Sequence, residues 1–414
     1  MNKSMTAQVF SVQCCIAGGG PAGLMAGLLL ARSGIEVLVL EKHADFLRDF
    51  RGDTIHPSTL DILHELRLAD LLLKLPHRKV RSLRFHVGDE ALTLAEFGGL
   101  PLRYPFIAIM PQWDFLSFVT REASRYASFN LIMEAEATGL IEENGRIAGL
   151  RAATSGGEIE VRADLVIAAD GRHSVLRQAA GLQVAKLGSP VDVLWFPLPR
   201  EKDDPTGITG HAGAGGMLVQ IDRGDYWQCG FVIAKDSFAE LRARGIDAFR
   251  ARLEALAPHL RGRALGIEWE DVKLLSVAID RLVQWYRPGL LCIGDAAHAM
   301  SPVGGVGINL AIQDAVAAAN VLVAPLREGR LNAEHLRTIQ HRRELPARIV
   351  QLFQLFVQRR VLRPMLAGKG ELRAPLPLRL AARLPWLRRK IAMLIASGIR
   401  PERIATRPRR NPVE

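Results

Sequence analysis

The sequence predicts an α/β fold in which parallel strands present a ligand site along one edge of a sheet. Three observations predict it: a glycine-rich turn between a buried strand and a helix, an Asp-Gly turn after a second buried strand, and a Gly-Asp turn after a third. In open α/β sheets the carboxyl ends of parallel strands form the edge at which ligands bind. The three turns are therefore expected to meet, although they lie far apart in the chain.

The first turn lies between an apolar run at residues 12–17 and a helix-forming run at residues 24–32. It reads Gly18-Gly-Gly20-Pro-Ala-Gly23 and fits the pattern G-x-G-x-x-G. These glycines allow a tight turn, a close approach of the backbone to a pyrophosphate, and close packing of helix on strand. A second apolar strand at residues 35–40 ends at Glu41, where an acid can accept hydrogen bonds from a ribose diol. The order predicts dinucleotide binding and leaves the choice between NAD and FAD open.

The two later turns each carry a carboxylate. Residues 165–169 predict a buried strand that ends at Asp170-Gly171, and Ser174 can cap the helix that follows. Residues 290–314 predict a short strand, a turn with Asp295, a Gly/Pro loop and the start of an Ala-rich helix. The first N–H groups of such a helix lack intrahelical acceptors, so this segment predicts an anion or polyol site.

Residues 190–280 have a different pattern, which predicts a second sheet inserted between pieces of the first domain. The predicted elements are strands at residues 191–198, 217–221, 226–234 and 269–279, and a helix at residues 237–256. Four aromatic residues are candidates for the wall of a substrate cavity, with the core of the second sheet as the alternative: Trp195, Phe196, Trp227 and Phe231.

The basic charge of the chain lies near its C-terminus. The 414 residues carry a formal net charge of +11, while residues 341–414 hold 18 lysines and arginines against 4 acidic residues. No basic–aromatic alternation predicts a nucleic-acid partner. Residues 376–398 have an apolar face broken by basic residues and by Pro385, which predicts peripheral contact with an anionic membrane. The alternative is a helix pair that packs on the first domain and leaves its basic face in solvent.

The cysteines predict a reducing compartment. Cys14 and Cys15 are adjacent on the first strand and are expected to point to opposite faces, and the chain has no C-x-x-C pair. Neither a zinc site nor a redox dithiol is therefore predicted. We also expect no signal peptide and no membrane-spanning helix, because the first apolar segment is already the first strand and no run of about 18 apolar residues occurs. These features predict a cytoplasmic protein, with peripheral membrane contact through its tail.

The three turns, in this order, resemble those of the single-component FAD-dependent aromatic hydroxylases, the para-hydroxybenzoate hydroxylase-like flavoprotein monooxygenases. The resemblance covers most of residues 10–330. It implies a Rossmann-like FAD-binding domain with an inserted mainly-β substrate domain and C-terminal helices. The expected division is an FAD-binding domain of residues 1–80, 100–185 and 281–330, a substrate domain of residues 81–99 and 186–280, and a basic helical region of residues 331–414.

The resemblance also implies which residues contact the cofactors. The ADP half of FAD is expected on the first glycine turn and its acid, the ribityl chain on Asp295, and the flavin ring above the loop that begins at Pro302. Arg51 is expected near the flavin and the incoming nicotinamide, and Arg51 and Pro302 are the expected catalytic residues. No metal site is expected. The expected cofactor-binding residues are Gly18, Gly20, Ala22, Gly23, Glu41, Lys42, Arg51, Gln112, Asp170, Asp295, Gly305, Gly307, Ile308 and Asn309.

The activity that the resemblance implies is hydroxylation of an aromatic or polycyclic small molecule with O₂ and with NADPH or NADH as the transient reductant. In that family the oxygen is transferred from a C4a-hydroperoxyflavin. His298 is expected to be a structural part of its motif rather than a base. Two alternatives remain at this point: a flavin-dependent alkene reductase similar to the geranylgeranyl reductases, and a flavin-bound scaffold without turnover. Substrate-dependent O₂ uptake distinguishes the first reading from both.

Overall fold

A computed structural model describes residues 8–47, 54–88, 90–213, 216–367, 374 and 376–409. Within them, the strands β1 to β20 are, in chain order, Gln8–Ala17, Val37–Leu40, Thr54–Ile55, Arg78–Val80, Ser82–Val87, Glu90–Glu96, Ile107–Ile109, Phe129–Ile132, Ala135–Glu143, Arg146–Thr154, Gly157–Ala168, Val184–Lys186, Val191–Pro199, Ile208–Gly213, Gly216–Asp222, Tyr226–Ala234, Lys273–Leu275, Asp280–Leu282, Tyr286–Arg287 and Leu290–Cys292.

In the same residues, the helices α1 to α12 are Pro21–Arg32, Pro57–Glu65, Ala69–Leu72, Gln112–Ala123, Val175–Ala179, Phe238–Ala243, Ile246–Leu256, Gly307–Arg327, Ala333–Val357, Arg363–Ala367, Leu376–Arg383 and Pro385–Ser397. A π-helix at Gln358–Leu362 continues α9 into α10. Short 3₁₀ turns lie at Pro258–Leu260, Ala264–Gly266 and Gly294–Ala296. The arrangement confirms the predicted α/β class.

The first sheet is the parallel sheet that the sequence predicts. Strands β20, β11, β1, β2 and β8 are neighbours in that order, and each adjacent pair is parallel. Their registers align Ala17 with Ala168 and with Leu40, and Ala168 with Cys292. The carboxyl ends of four strands therefore lie at one level of one edge.

Two apolar layers cover this sheet. Cys14 belongs to the layer formed with α1, α4 and α8, whereas Cys15 belongs to the layer on the other face. Both thiols are fully buried and unpaired, as the alternation along a strand requires. Burial raises the pKa of each of them, so neither is a ready nucleophile.

Helix α8, Gly307–Arg327, is the one described helix that is long and apolar enough to cross a membrane. Its most apolar window of 18 residues is 72% buried inside the fold. It packs between α1 and α9 and buries Gln313 and Asp314. These contacts make it a core helix of the first domain.

The second sheet has the strand order β17-β13-β16-β15-β14-β5-β6. It draws on residues 82–96 and 191–275, which lie inside the two segments predicted for the substrate domain. One face packs on α6, α7 and the 3₁₀ turns and buries Phe196, Trp227 and Phe231. These three aromatics are core residues, and only Trp195 of the predicted four lies on the opposite face.

Two predicted elements of this region have different limits in the structure. The helix expected at residues 237–256 is two helices, because Gly245 adopts a φ of +90° between them. The strand expected at residues 269–279 is only Lys273–Leu275. Trp269 stacks on Phe249 of α7 with ring centroids 5.5 Å apart, and this contact holds the start of the segment outside the sheet.

Helices α10, α11 and α12 pack mainly on the second sheet, whereas α9 packs on the first domain. Helices α11 and α12 contact β6, and α12 buries Ala392 and Ala396 against the cluster that includes Phe97 and Ile109. Beyond α12, residues 399–409 run back across the first domain as a segment that we call the C-terminal strap. The amide of Arg409 donates to the carbonyl of Arg32, 3.1 Å away, at the end of α1.

Candidate active site

The three predicted turns meet at the carboxyl edge of the first sheet. The amide of Gly18 donates to the carbonyl of Leu40 at the end of β2. The amide of Ala169 donates to Ala17, and that of Ile293 donates to Ala168, so each turn begins one residue beyond a paired strand end. Gly18, Glu41, Asp170 and Asp295 consequently follow four adjacent strands at one edge.

The glycine turn owes its shape to two close backbone contacts. Gly18 has a φ of +108°, and a Cβ there would lie 2.3 Å from the carbonyl oxygen of Ala169. A Cβ on Gly23 would lie 2.0 Å from the carbonyl oxygen of Gly18. Gly20 differs, because a Cβ there would meet nothing within 4 Å. Gly20 precedes α1, which no side chain caps, so the open space beside Gly20 and the uncapped N-terminus of α1 suit a phosphate.

Glu41 closes this turn on its other side. Its buried carboxylate accepts from the amide of Gly19 at 2.8 Å and from the amide of His43 at 3.1 Å. Lys42 is exposed and lies 3.8 Å from Glu136. The structure therefore places the Glu41 carboxylate against the glycine turn and directs the Lys42 ammonium towards solvent.

Asp170 lies beyond β11 with one satisfied carboxylate oxygen. Its Oδ2 accepts from the amide of Leu176 at 3.3 Å, whereas Oδ1 is buried and has no hydrogen-bond partner in the described residues. Burial raises the pKa of this carboxyl. Ser174 caps the following helix as predicted and accepts from the amide of Arg177 at 3.0 Å. An unsatisfied buried acceptor at the strand edge is a place for a ligand donor.

Asp295 is partly exposed and pairs with Arg172, with Nη2 and Oδ2 3.3 Å apart. The preceding Gly294 has a φ of +60° and packs against Ala22 and Ala311, where a Cβ would lie 3.0 Å and 3.3 Å from their Cβ atoms. The Gly-Asp turn is thus wedged between α1 and α8. This packing brings the Gly-Asp turn into direct contact with α1, the helix that follows the glycine-rich turn.

A buried charge network anchors the same turn. Asp314 of α8 accepts from the amide of Gly294 at 3.1 Å and lies 2.6 Å from Nε2 of His298. Its second oxygen accepts from Nε of Arg343 in α9 at 2.9 Å. Burial by itself would raise the pKa of Asp314, but the interactions with His298 and Arg343 lower it below its usual range. His298 is 1% exposed, and this position is structural, as expected.

The network continues to the C-terminal strap. Nη1 of Arg343 lies 3.9 Å from Glu402, which also pairs with Arg342. The amide of Glu402 donates to the side chain of Gln313, next to Asp314 on α8. Helix α8, helix α9 and the strap therefore each contribute side chains to one buried cluster behind the Gly-Asp turn.

The loop after Pro302 is held by two side chains. Asn309 accepts from the amide of His56 at 3.0 Å and from Oγ1 of Thr59 at 2.7 Å, and it donates to the carbonyl of Thr54 at 3.3 Å. Oγ1 of Thr54 donates to the carbonyl of Gly305 at 2.9 Å. The Asn309 side chain is therefore a cross-link within the protein, and the role predicted for it in cofactor binding depends on its backbone.

The start of α8 presents a second set of amides. Gly307, Ile308 and Asn309 occupy its first turn, and no side chain caps it. The first N–H groups of a helix have no intrahelical acceptor and carry the positive end of the helix dipole. Gly304 and Gly305 have φ values of +84° and +61°, which turn the chain into this helix. The arrangement can stabilise negative charge that lies beside the loop.

Three glutamines of the α9 region hold the loop from behind. Gln354 accepts from the amide of Ser301 at 3.0 Å and donates to the carbonyls of Ser301 and Val303, both at 2.9 Å. Gln358 donates to Oγ of Ser301 at 2.6 Å, and Gln351 donates to the carbonyl of Ala299 at 3.0 Å. All three glutamines are at most 1% exposed. Sequence reasoning missed them, together with Asp314 and Arg343.

The second sheet approaches this loop with an apolar face. Val303 packs on the cluster formed by Val193, Val232 and neighbouring residues, and Trp195 packs on the same cluster. The Trp195 ring lies over Gly230, where a Cβ would be 3.0 Å from it. Its Nε1 is buried without a hydrogen-bond partner among the described residues. The wall opposite the loop is therefore apolar, with one N–H group available.

Three predicted residues contribute less to the described site. Arg51 lies outside the described residues, so its predicted catalytic position stays a prediction. Gln112 is the first residue of α4 and is partly buried, directly after the β7 strand that pairs with β3. Pro302 is partly buried, and its carbonyl accepts from the amide of Gly305 at 3.0 Å.

These residues fit FAD. The open cradle at Gly20, the buried unpaired oxygen of Asp170 and the uncapped start of α8 lie along one edge. Together they offer two amide-rich ends for charged groups and a carboxylate acceptor between them, as a dinucleotide with a polyol linker requires.

Comparison with known proteins agrees with this geometry. The model of the FAD binding domain family matches residues 11–352. The 6-methylpretetramide 4-monooxygenase of Streptomyces rimosus is 32% identical over 80% of this chain and 79% of the relative. The 3-demethoxyubiquinol 3-hydroxylase of Escherichia coli K12 is 26% identical over 80% of this chain and 85% of the relative. The crystal structure of p-nitrophenol 4-monooxygenase PnpA from Pseudomonas putida DLL-E4 shares the fold, with a TM-score of 0.77 and 19% identity. The match covers 96% of this chain and 100% of PnpA.

The chain belongs to the FAD binding domain family. It is an FAD-dependent monooxygenase that acts on a small molecule. This confirms the resemblance drawn from the three turns, and it favours the hydroxylase over the reductase and scaffold alternatives.

Proposed function

We propose that this enzyme uses NAD(P)H and O₂ to hydroxylate an aromatic or polycyclic small molecule. The observation that carries the proposal is the apolar face around Trp195, which lies against the cluster that Val303 of the loop contacts. With FAD held by the loop, this apolar wall would be the surface against which a flat apolar substrate binds. The similarity to the 6-methylpretetramide 4-monooxygenase supports a small-molecule substrate.

Bound FAD supplies the oxygen chemistry once NAD(P)H has reduced it. The chain binds and orients the reactants. The first-turn amides of α8 stabilise negative charge beside the loop. The valines of the second sheet and the ring of Trp195 exclude water from the reaction. The Nε1 of Trp195 is buried without a partner in the described residues, and in the proposed complex it would donate a hydrogen bond to a carbonyl or hydroxyl oxygen of the substrate and so orient its ring.

The test is oxygen consumption by the FAD-loaded protein with NADPH or NADH across a panel of phenols, quinolones and polycyclic aromatics. A compound that accelerates uptake and yields a product heavier by one oxygen atom supports the proposal. Faster uptake that yields only hydrogen peroxide identifies a ligand that triggers flavin reduction without being hydroxylated. Anaerobic reduction of the flavin, with alkene hydrogenation instead of O₂ uptake, would overturn it.

A matched pair of variants tests the substrate wall. Trp195→Phe keeps an aromatic, apolar side chain and removes the N–H, so we expect KM for the substrate to rise about fivefold to tenfold while reduction of the flavin by NAD(P)H without substrate is unchanged. Trp227→Phe is the control, because the Nε1 of Trp227 donates to Asp204 on the other side of the sheet. Equal effects of the two variants on KM would contradict the assignment of Trp195.

We also propose a cytoplasmic location. The four cysteines are buried and unpaired, which is typical of a protein that folds in a reducing compartment.

A further inference from the structure

Helix α9 is unusual because its C-terminal half exposes large apolar residues while it buries glutamines on the opposite side. Five large apolar residues share one side of it at helical spacing: Leu345, Ile349, Leu352, Phe353 and Phe356. We call this set the α9 stripe. Leu352, Phe353 and Phe356 are 61%, 51% and 59% exposed. The opposite side carries the buried glutamines that hold the Pro302 loop.

The α9 stripe is surrounded by positive charge. Arg342 and Arg348 flank its beginning, and Arg359, Arg360 and Arg363 follow its end, all on exposed positions. Glu344 is the acidic residue within residues 342–363, and it lies 3.7 Å from Arg348. An exposed apolar face with arginines at both ends is complementary to an anionic lipid surface, in which acyl chains accept the apolar side chains and headgroups pair with the guanidinium groups.

We propose that the α9 stripe and its arginines dock this enzyme on an anionic bilayer. The stripe spans eleven helical steps, about 17 Å at 1.5 Å per residue, which is long enough for an interfacial helix that lies in the membrane plane. The surface differs from the tail at residues 376–398. There, Leu376, Leu380, Trp386 and Leu394 are exposed on two separate helices, Ala392 and Ala396 are buried and Arg379 pairs with Glu90, whereas the α9 stripe is continuous along one helix.

A second copy of the chain is the other candidate occupant, and the charges disfavour it. In a two-fold symmetric dimer the same patch meets itself. The five arginines of one copy would then face those of the other, offset in each copy by Glu344 beside Arg348 and by Glu402 beside Arg342, and the remaining like-charge contacts are destabilising. An anionic bilayer meets no such repulsion.

The docked geometry places the bilayer close to the active site. A helix with its side chains is about 10 Å across, and α9 contacts the Pro302 loop on the side away from the stripe. A substrate dissolved in the bilayer would therefore be concentrated one helix diameter from the loop.

The test is cosedimentation of the FAD-loaded enzyme with vesicles of phosphatidylcholine alone and with vesicles that contain equal parts of phosphatidylcholine and phosphatidylglycerol. The intact protein is expected to bind the anionic vesicles and to be released by high salt. The variant Leu352→Gln/Phe353→Gln/Phe356→Gln should lower binding by about tenfold or more. Arg348→Gln/Arg360→Gln/Arg363→Gln should remove the preference for anionic lipid.

The matched control is Leu265→Gln/Leu274→Gln/Val283→Gln, which alters three other exposed apolar residues, 65%, 45% and 55% exposed, and should leave vesicle binding unchanged. Flavin content and NAD(P)H oxidation without substrate confirm that each variant is folded. Binding that is absent in the intact protein, or equal in the stripe and control variants, overturns the proposal. So does a dimer in light scattering that the stripe variant converts to a monomer, because the stripe would then be an interface between copies.

Discussion

The Oδ2 atom of Asp314 lies 2.6 Å from Nε2 of His298, and neither side chain is more than 1% exposed. The same carboxylate binds the amide of Gly294 and the guanidinium of Arg343. Every hydrogen bond that Asp314 accepts in this network comes from a group that positions the Gly-Asp turn or the helix behind it. The position of the turn predicted to hold the ribityl chain therefore depends on this buried network.

Replacing Asp314 tests that dependence. Asp314→Asn leaves buried Arg343 with only the more distant Glu402 as a charge partner, and breaking a buried pair costs up to about 3–5 kcal/mol of unfolding free energy. We expect a lower Tm and loss of FAD during purification, measured by calorimetry and by flavin absorbance. Glu334→Gln is the control, since Glu334 pairs with Arg337 at the surface. An Asp314→Asn protein as stable as the control, with full FAD, would contradict the network's role.

The open cradle at Gly20 gives a prediction that separates folding from cofactor binding. Gly20→Ala adds a methyl group that meets no protein atom within 4 Å but projects where the pyrophosphate is expected. The unfolding free energy of the apoprotein should stay within about 1 kcal/mol of the wild-type value, while the Kd for FAD rises tenfold or more. Gly139→Ala, equally open in strand β9, should change neither quantity. Equal FAD affinity in both variants would place the pyrophosphate elsewhere.

The glutamines behind the loop predict an effect on coupling. Gln354→Leu removes an acceptor and a donor from Ser301 and Val303 and leaves buried backbone groups unpaired. We expect the loop to shift, so that the fraction of consumed NAD(P)H that yields hydroxylated product falls at least twofold and the flavin spectrum changes. Product and hydrogen peroxide are measured together. Gln178→Leu, at an exposed position of α5, should leave the ratio unchanged.

A buried histidine predicts a pH dependence of stability. Burial lowers the pKa of His56 from 6.5 to about 4, although its hydrogen bond to the carbonyl of Ile395 opposes this. Nδ1 donates that bond, and Nε2 is buried without a partner in the described residues, so a proton there would have no acceptor. The unfolded chain binds this proton below pH 6.5 and the folded chain only near pH 4. Stability is therefore lost as the pH falls from 6.5 to 4.

Between pH 7 and pH 5 this single group should cost about 2 kcal/mol. Urea unfolding at both pH values measures it. The His56→Gln variant should lose less stability than the wild type over the same interval, by about that amount. An identical pH dependence in the variant would show that other groups carry it.

The parts of the site that the sequence predicts are the parts made by local backbone chemistry. Gly18 and Gly23 have contacts that only glycine permits, and such positions leave a readable pattern. Ser174 likewise caps the helix that begins next to it. Each turn follows a strand that was predicted to be parallel to the others. Because parallel strands align their carboxyl ends, this was enough to predict that the turns meet at one sheet edge.

The parts that the sequence did not predict depend on partners distant in the chain. Arg343 would be expected in solvent, yet it is 1% exposed because Asp314 lies beside it. Residues 351–358 have an apolar pattern that suggests the opposite orientation for α9. The buried backbone groups of Ser301 and Val303 need hydrogen-bond partners, and Gln354 supplies them. Because Gln354 faces the loop, the apolar side chains on the opposite side of α9 face solvent. Only the tertiary structure reveals that exchange.

The C-terminal strap has a consequence for the order of biosynthesis. Glu402 pairs with Arg342 and lies near Arg343, about 60 residues earlier in the chain. At about 5–20 residues per second the ribosome needs roughly 3–12 seconds to make the intervening segment. Throughout that interval the nascent α8 and α9 lack the carboxylate that completes their charge cluster. Chains stalled before residue 399 should therefore retain less FAD than released chains, so that flavin uptake becomes a step of maturation that follows translation.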